Sequence, residues 1–263
     1  MQSMWQRFHP SIFSLTFLST DGVRITSGTG FKMGGYLITN NHVIQVHSAQ
    51  RVILRTVGPD GSASAFEATF GRLDFQSKLR CGREESSWDY AVMAIDHPDF
   101  SLIPDLEAKE DNGVVIGSEA CFLGFQFEQT NLAIHRGLLS STFVKADVRY
   151  IQIDGSVNHG NSGGPLIDIA DGKVLGVVTR KATGLTKDFE SLDKALQSNI
   201  ALLNRSSGGV FLSGIDPIAA TRMIQEQIRV VARNIGRSAN VGIGYAYHIS
   251  EVRSALQLLQ PAA

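Results

Sequence analysis

Gly160-Asn161-Ser162-Gly163-Gly164-Pro165 is the stretch on which the reading of the fold turns. Its serine is surrounded by residues with almost no side-chain bulk, so the backbone beside the hydroxyl is left open. A serine hydroxyl is a weak nucleophile by itself, and acyl transfer also needs N–H donors aimed at the developing oxyanion. Glycines at 160 and 163 let the chain bring such donors close. The plainer alternative is a glycine-rich turn with a bystander serine.

The same letters fit G-x-S-x-G, the nucleophile elbow of α/β-hydrolases, which requires a helix directly after the serine. Here Gly-Gly-Pro leads instead into the alternating Leu166-Ile167-Asp168-Ile169 and an Asp171-Gly172 turn, which is a hairpin pattern. The elbow order also places the histidine last, whereas the best histidine lies far upstream. That residue is His42, at the end of the apolar run Tyr36-Leu37-Ile38-Thr39-Asn40-Asn41. A base at a strand end can face a cleft, although a lone histidine among seven is more often structural. His47 lies five residues on, but no carboxylate or cysteine cluster completes a metal site with the pair. Between histidine and serine, Asp89 opens Tyr90-Ala91-Val92-Met93-Ala94-Ile95, and an acid at the mouth of a buried strand needs a partner. It could fix the histidine tautomer. Asp96 and Asp99, beside His97-Pro98 in a turn, rank behind it.

Working outward, residues 12–115 show short runs rich in Val, Ile and Phe, cut by Asp21-Gly22, Gly34-Gly35 and Asp60-Gly61. That is the pattern of antiparallel strands. The polar stretch Pro104 to Gly113 predicts a connection, and further strands are expected at Ala120–Phe125, Tyr150–Ile153, Pro165–Ile169, Val174–Thr179 and Val241–Tyr247. After Thr179 the pattern becomes helical. Phe189, Leu192, Leu196, Ile200 and Leu203 form one stripe and Ile224, Ile228, Val231 and Ile235 another. Asp216 and Pro217 start the second helix, Gly236 ends it, and Ser250 with Glu251 opens a last helix to Gln260. The expected organisation is a first β half at 1–105, a connection at 106–117, and a second β half at 118–263 that carries a helical insertion at about 183–238.

Composition excludes little beyond a membrane-spanning chain. The sequence is 43% hydrophobic and 19% charged with net charge −1, and no run approaches the length that crosses a bilayer. No nucleic-acid or membrane partner is announced. Two cysteines, Cys81 and Cys121, are too few for a disulfide framework and fit a reducing, cytoplasmic compartment.

His42 in Leu-Ile-Thr-Asn-Asn-His-Val, Asp89 in Asp-Tyr-Ala-Val and Ser162 in Gly-Asn-Ser-Gly-Gly-Pro-Leu together resemble the trypsin-like serine protease superfamily, and within it the HtrA/Deg branch. Ser27-Gly28-Thr29-Gly30-Phe31 and Gly242-Ile243-Gly244-Tyr245-Ala246 resemble its first-barrel entry and last strand. The resemblance covers both β halves but not the helical insertion. It implies a mainly β fold of two antiparallel β-barrels with the site in the cleft between them. It also implies a His42, Asp89, Ser162 triad, and an oxyanion-binding stretch at Gly160, Asn161 and Ser162 whose donors are the Gly160 and Ser162 N–H groups. Ser156 stands where trypsin holds an acid at the pocket floor. The resemblance further implies that Ile243 lines the same pocket and that Thr179 with Arg180 lies on the substrate-binding strand. The family's C-terminal PDZ domain, a periplasmic signal and an Ile-Val-Gly-Gly start are not expected.

The activity so implied is a serine endopeptidase acting on protein or peptide substrates, with no cofactor or metal. The alternative is a binding or scaffold module with an idle triad, working through its helices. Arg222, Arg229, Arg233 and Arg237, beside Arg180 and Lys181, suggest a basic face for an acidic regulatory partner.

Overall fold

The turn signals fall where the strands reverse: Gly22, Gly34, Gly35, Gly61 and Gly172 all take positive φ. In the computed structural model, residues 1–62, 64–110, 113–179, 184–205, 211, 216–238 and 242–259 are described. Seven strands, β1 (Ile12–Leu18), β2 (Arg24–Met33), β3 (Tyr36–Thr39), β4 (Arg51–Val57), β5 (Ser64–Gly71), β6 (Leu79–Arg83) and β7 (Tyr90–Met93), form one antiparallel sheet in the order β5-β4-β1-β2-β3-β7-β6. Among the described residues β5 and β6 remain its edges. Six more, β8 (Glu119–Gly124), β9 (Ala133–Lys145), β10 (Val148–Asp154), β11 (Pro165–Asp168), β12 (Val174–Thr179) and β13 (Ile243–His248), close into an antiparallel barrel.

The longest strand, β9, has no counterpart in the sequence reading. Only Leu139 of its 13 residues is buried, so it lacks the apolar alternation that marks a half-buried strand.

Each half wraps its own core. Phe13, Leu15, Leu37, Leu54, Phe66 and Phe75 fill the first, and Phe122, Ile151, Ile153, Leu166, Leu175 and Val178 the barrel. A third apolar cluster joins them, with Phe31, Ile38 and Val92 from one side and Cys121, Leu123, Ile167 and Val177 from the other. Both chain ends close over this seam. Phe8 of helix α1 (Gln2–Phe8) and Val252 and Leu256 of the C-terminal helix (Ser250–Leu259) are buried in it. Trp5 Nε1 donates to Pro59 O at 2.8 Å and Arg7 donates to Asp171 O at 3.1 Å, which ties α1 to a turn of each half. The connection is pinned as well: Leu106 N–H donates to Lys32 O and Lys109 N–H to Val174 O, both at 2.8 Å. Lys109 Nζ then pairs with Asp168 and Asp171 at 2.8 and 2.7 Å. Both cysteines are free, Cys121 buried and Cys81 half-buried.

Residues 181–241 make a separate unit, a helical hairpin of Gly184–Arg205 and Pro217–Ser238. Asp216 Oδ1 caps the second helix by accepting the N–H groups of Ile218 and Ala219 at 2.9 and 3.2 Å. That helix continues two residues past Gly236. The basic face expected to receive an acidic segment is partly closed by the hairpin itself. Arg229 Nε and Arg233 Nε both donate to Asp193 Oδ1, at 2.8 and 2.7 Å, and Arg222 donates to Asn204. Hydrogen bonds from Arg229 and then Arg233 pull the Asp193 carboxyl down to about 2. The side chains of Phe189, Ile235 and Arg237, and residues Arg180, Lys181 and Val241, lie outside the described residues.

Candidate active site

His42 stands on a single helical turn, Asn41–Ile44, anchored by the buried Val43 and Ile44. Its ring is 32% exposed, so one edge faces solvent. Asp89 precedes β7, is wholly buried, and takes φ +40. A non-glycine residue in that region costs about 1–3 kcal/mol and persists only where its surroundings enforce it. Here they do. Asp89 Oδ2 lies 2.7 Å from His42 Nδ1, and Oδ1 accepts the His42 backbone N–H at 3.0 Å. The buried Asn40 returns the clamp, its Nδ2 donating to Asp89 O at 2.7 Å, while Asp89 N–H donates to Glu84 O. A carboxylate only accepts, so the ring proton sits on Nδ1 and Nε2 is left as the acceptor.

The serine loop is held from the other half by one residue. Thr29 N–H donates to Ser162 O at 2.9 Å, and Thr29 Oγ1 donates to Gly160 O at 2.6 Å while accepting Phe125 N–H at 3.0 Å. Thr39 Oγ1 in turn donates to Thr29 O at 2.6 Å. Gly163, at φ +88, presses into this joint. A Cβ there would lie 2.1 Å from Thr29 O and 3.0 Å from the Asn40 nitrogen, so the serine loop meets the chain two residues before His42. Among the described residues no hydrogen bond joins the Ser162 hydroxyl to His42.

The amides of the loop divide into two sets. Asn161 N–H donates to Asn158 O, Gly163 N–H to Val178 O and Gly164 N–H to Asn161 O, at 3.1, 2.9 and 3.0 Å. Among the described residues, those of Gly160 and Ser162 have no such acceptor. Gly160 takes φ +94, and a Cβ on it would be 2.1 Å from Phe125 O. The Asn161 side chain is buried against Gly124.

Of the specificity positions, Thr179 is buried at the end of β12 opposite Tyr245, and Ile243 opens β13 opposite Asp154 and is 39% exposed. Gly155 N–H donates to Gly242 O at 2.8 Å, and Ser156, the next residue, is exposed. Arg180 lies outside the described residues. His47, Asp96 and Asp99 are exposed and away from the pair, and among the described residues no His, Cys, Asp and Glu group is placed to hold a metal.

Sequence reasoning missed Asn40, Thr29 as a clamp, and an aromatic pair of Tyr150 and Tyr247, whose ring centres lie 5.1 Å apart at a tilt of 42°. Burial and then the Asp89 charge push the Tyr247 hydroxyl upward, so it stays protonated. Burial alone would lower His42, but the Asp89 hydrogen bond and charge, with Glu85 adding to them, outweigh it and raise the ring above its ordinary value.

Two expectations follow from this geometry. Thr29→Val keeps the shape but leaves Gly160 O and Phe125 N–H buried without a partner, so it should cost about 2–3 kcal/mol in denaturant unfolding. An unchanged midpoint would show that Thr29 is no clamp. Any reaction that needs the neutral His42 ring should rise with pH along a limb centred above about 6.5. A rate profile centred below that value would contradict the raised ring.

Two packed antiparallel β halves, with the Ser162 loop of one pinned to Thr29 and pressed against Asn40 of the other, have the architecture of a trypsin-like peptidase domain. The family model described as trypsin-like peptidase domain matches residues 22–177, and the chain belongs to that family. It is similar to serine protease HTRA4 of Mus musculus, 31% identical over 66% of this chain and 34% of that protein, and to serine protease HTRA3 of Homo sapiens, 32% identical over 66% and 38%. The chain thus spans about a third of the length of the curated relatives it matches. Among solved structures it is similar to the HtrA-type protease AlgW, with 26% identity, 68% of this chain and 54% of that chain covered, and a TM-score of 0.52. The serine endoprotease from Yersinia pestis shares the fold at 23% identity, 69% and 58% coverage, and a TM-score of 0.50.

Proposed function

We propose that the chain is a serine endopeptidase in which Ser162 attacks a peptide carbonyl, His42 moves the proton and Asp89 holds His42. The observation that carries this reading is the Asp89–His42 pair, in which both carboxylate oxygens are spent on one histidine, at 2.7 and 3.0 Å. That arrangement fixes the tautomer in which Nε2 can accept the Ser162 proton. As Oγ bonds to the carbonyl carbon, the C=O electron pair moves to oxygen, where the Gly160 and Ser162 N–H groups stabilise the charge. Collapse expels the amine, which takes the proton from His42 Nε2. Water then attacks the acyl-enzyme by the same route and frees Ser162.

A protein or peptide substrate is supported by the HtrA-type relatives, one of which is a structure with a tripeptide. The neutral Ser156 and the apolar Ile243 favour cleavage after small or medium apolar residues. A peptide-library profile should show that preference, and dominance of Arg at the scissile position would overturn it. The free thiols support a reducing, cytoplasmic setting; no described helix is long and apolar enough to cross a membrane. The deciding experiment is labelling by a fluorophosphonate, which reacts only with an activated serine. Wild type should be modified at Ser162, and His42→Ala should be labelled far more slowly. An unlabelled wild type, tested with and without unfolded protein substrate, would sink the reading.

A further inference from the structure

The residues on either side of Asp89 are both aromatic, and both are anchored at the seam between the halves. Tyr90, which starts β7, is 4% exposed and belongs to the apolar cluster that the two halves share. Trp88 is half-buried and packs on that cluster and on Val148, Tyr150 and Tyr247 of the barrel. Its seat is a cross-strand row. Phe143 of β9, Tyr150 of β10 and Tyr247 of β13 stand opposite one another, with ring centres 5.1 Å apart at each step. Side chains alternate along a strand, and Ile151 and Ala246 fill the barrel core, so this row lies on the barrel's outer face. Aromatic side chains on an outer face need cover. Tyr150 and Tyr247 are nevertheless only 8 and 6% exposed, and among the described apolar residues of the first half it is Trp88 that lies on them.

The row is the carboxylate's neighbour as well. The Tyr247 hydroxyl is hydrogen-bonded to those of Tyr150 and Thr179, and the Asp89 charge, second to burial, helps to raise it. Tyr150 feels the same charge. Asp89 itself sits between two anchored rings at φ +40, a conformation that an aspartate keeps only under constraint. The hydrogen bonds from Asn40 and His42 and to Glu84 all lie within the first half, so they leave the Trp88 side of that constraint to the barrel. We propose that Trp88 is a positioning residue: seated on the Tyr150–Tyr247 pair, it passes the docking of the two halves to the Asp89 backbone and keeps both carboxylate oxygens on His42. The effect on turnover rests on the triad proposed above, whereas the effect on the Asp89–His42 pair does not.

NMR titration of the His42 ring in the full chain, assigned by its loss in His42→Ala, reads that pair without any substrate. Trp88→Ala should lower the titration midpoint below that of wild type, because the Asp89 hydrogen bond and charge that raise the ring both weaken. It should also lower kcat by about 10²-fold with little change in KM, the cost of misplacing a catalytic group by about 1 Å. Trp88→Phe keeps a ring on the row and should restore both. Should Trp88→Ala fail to fold, Trp88→Leu, which keeps apolar bulk but no ring, should move the midpoint in the same direction. A folded Ala or Leu variant whose His42 titrates as in wild type, however far its melting temperature falls, would overturn this role and leave Trp88 as packing alone. A rise in KM at unchanged kcat and midpoint would overturn it too, by making Trp88 a substrate contact. If the wild type shows no turnover, the endopeptidase reading fails, while the His42 midpoint still decides the part played by Trp88.

Discussion

Ser162→Ala is expected to lower peptide turnover by about 10⁶-fold, the size of effect seen when a triad serine is removed from subtilisin. The fold should be untouched. What holds the loop is backbone, since Ser162 O accepts from Thr29 N–H and Gly160 O from Thr29 Oγ1, while no described hydrogen bond depends on the Ser162 hydroxyl. The variant should therefore melt with the wild type and still bind substrate, because the Gly160 and Ser162 amides stay in place. Residual hydrolysis would come from those donors and from binding alone. Turnover within tenfold of wild type would mean that Ser162 is not the nucleophile.

Asp89→Asn is expected to lower kcat by about 10⁴-fold, as loss of this carboxylate does in the trypsin type case. The cause lies in the two hydrogen bonds to His42. An amide has one oxygen, and if it keeps the His42 backbone N–H, its NH₂ group faces Nδ1. Nδ1 must then accept, the ring proton moves to Nε2, and the serine proton has no acceptor. Asparagine tolerates the φ of +40 at this position as well as aspartate does, so a folded protein is expected. KM should change little. The rising limb of the pH profile should also move down, since the carboxylate hydrogen bond and charge that raise the His42 ring are both gone. A kcat within tenfold of wild type would remove Asp89 from the site.

Much of the fold could be read because local chemistry marks it. Paired Gly and Asp residues mark the reversals, Asp216-Pro217 starts a helix that its Oδ1 caps, and Ser250 opens another. The candidate site was legible for a similar reason: small residues around Ser162 and an acid before an apolar strand stand out by residue type and near-neighbour spacing. β9 was hidden because it buries only Leu139 fully and its apolar residues do not alternate along the chain. The stripe at Ile224, Ile228 and Val231 could be counted but not aimed, because helical periodicity identifies an apolar face without naming what covers it.

The amino-acid sequence by itself determined the trypsin-like class, the alternation of strands and helices, and the three residues proposed for catalysis, since each rests on residue type and near-neighbour spacing. Only the tertiary structure decided how they are held. Asn40 clamps Asp89 across 49 positions and Thr29 grips Gly160 across 131. It also decided that Arg229 and Arg233 are spent on Asp193, and that among the described residues the Gly160 and Ser162 amides have no acceptor while Asn161 N–H is taken. The physical reason is that a hydrogen bond forms wherever burial brings donor and acceptor together. Burial at this seam is set by the shared apolar cluster of the two halves, whose members are scattered from Phe8 to Leu256 and carry no local signal of one another.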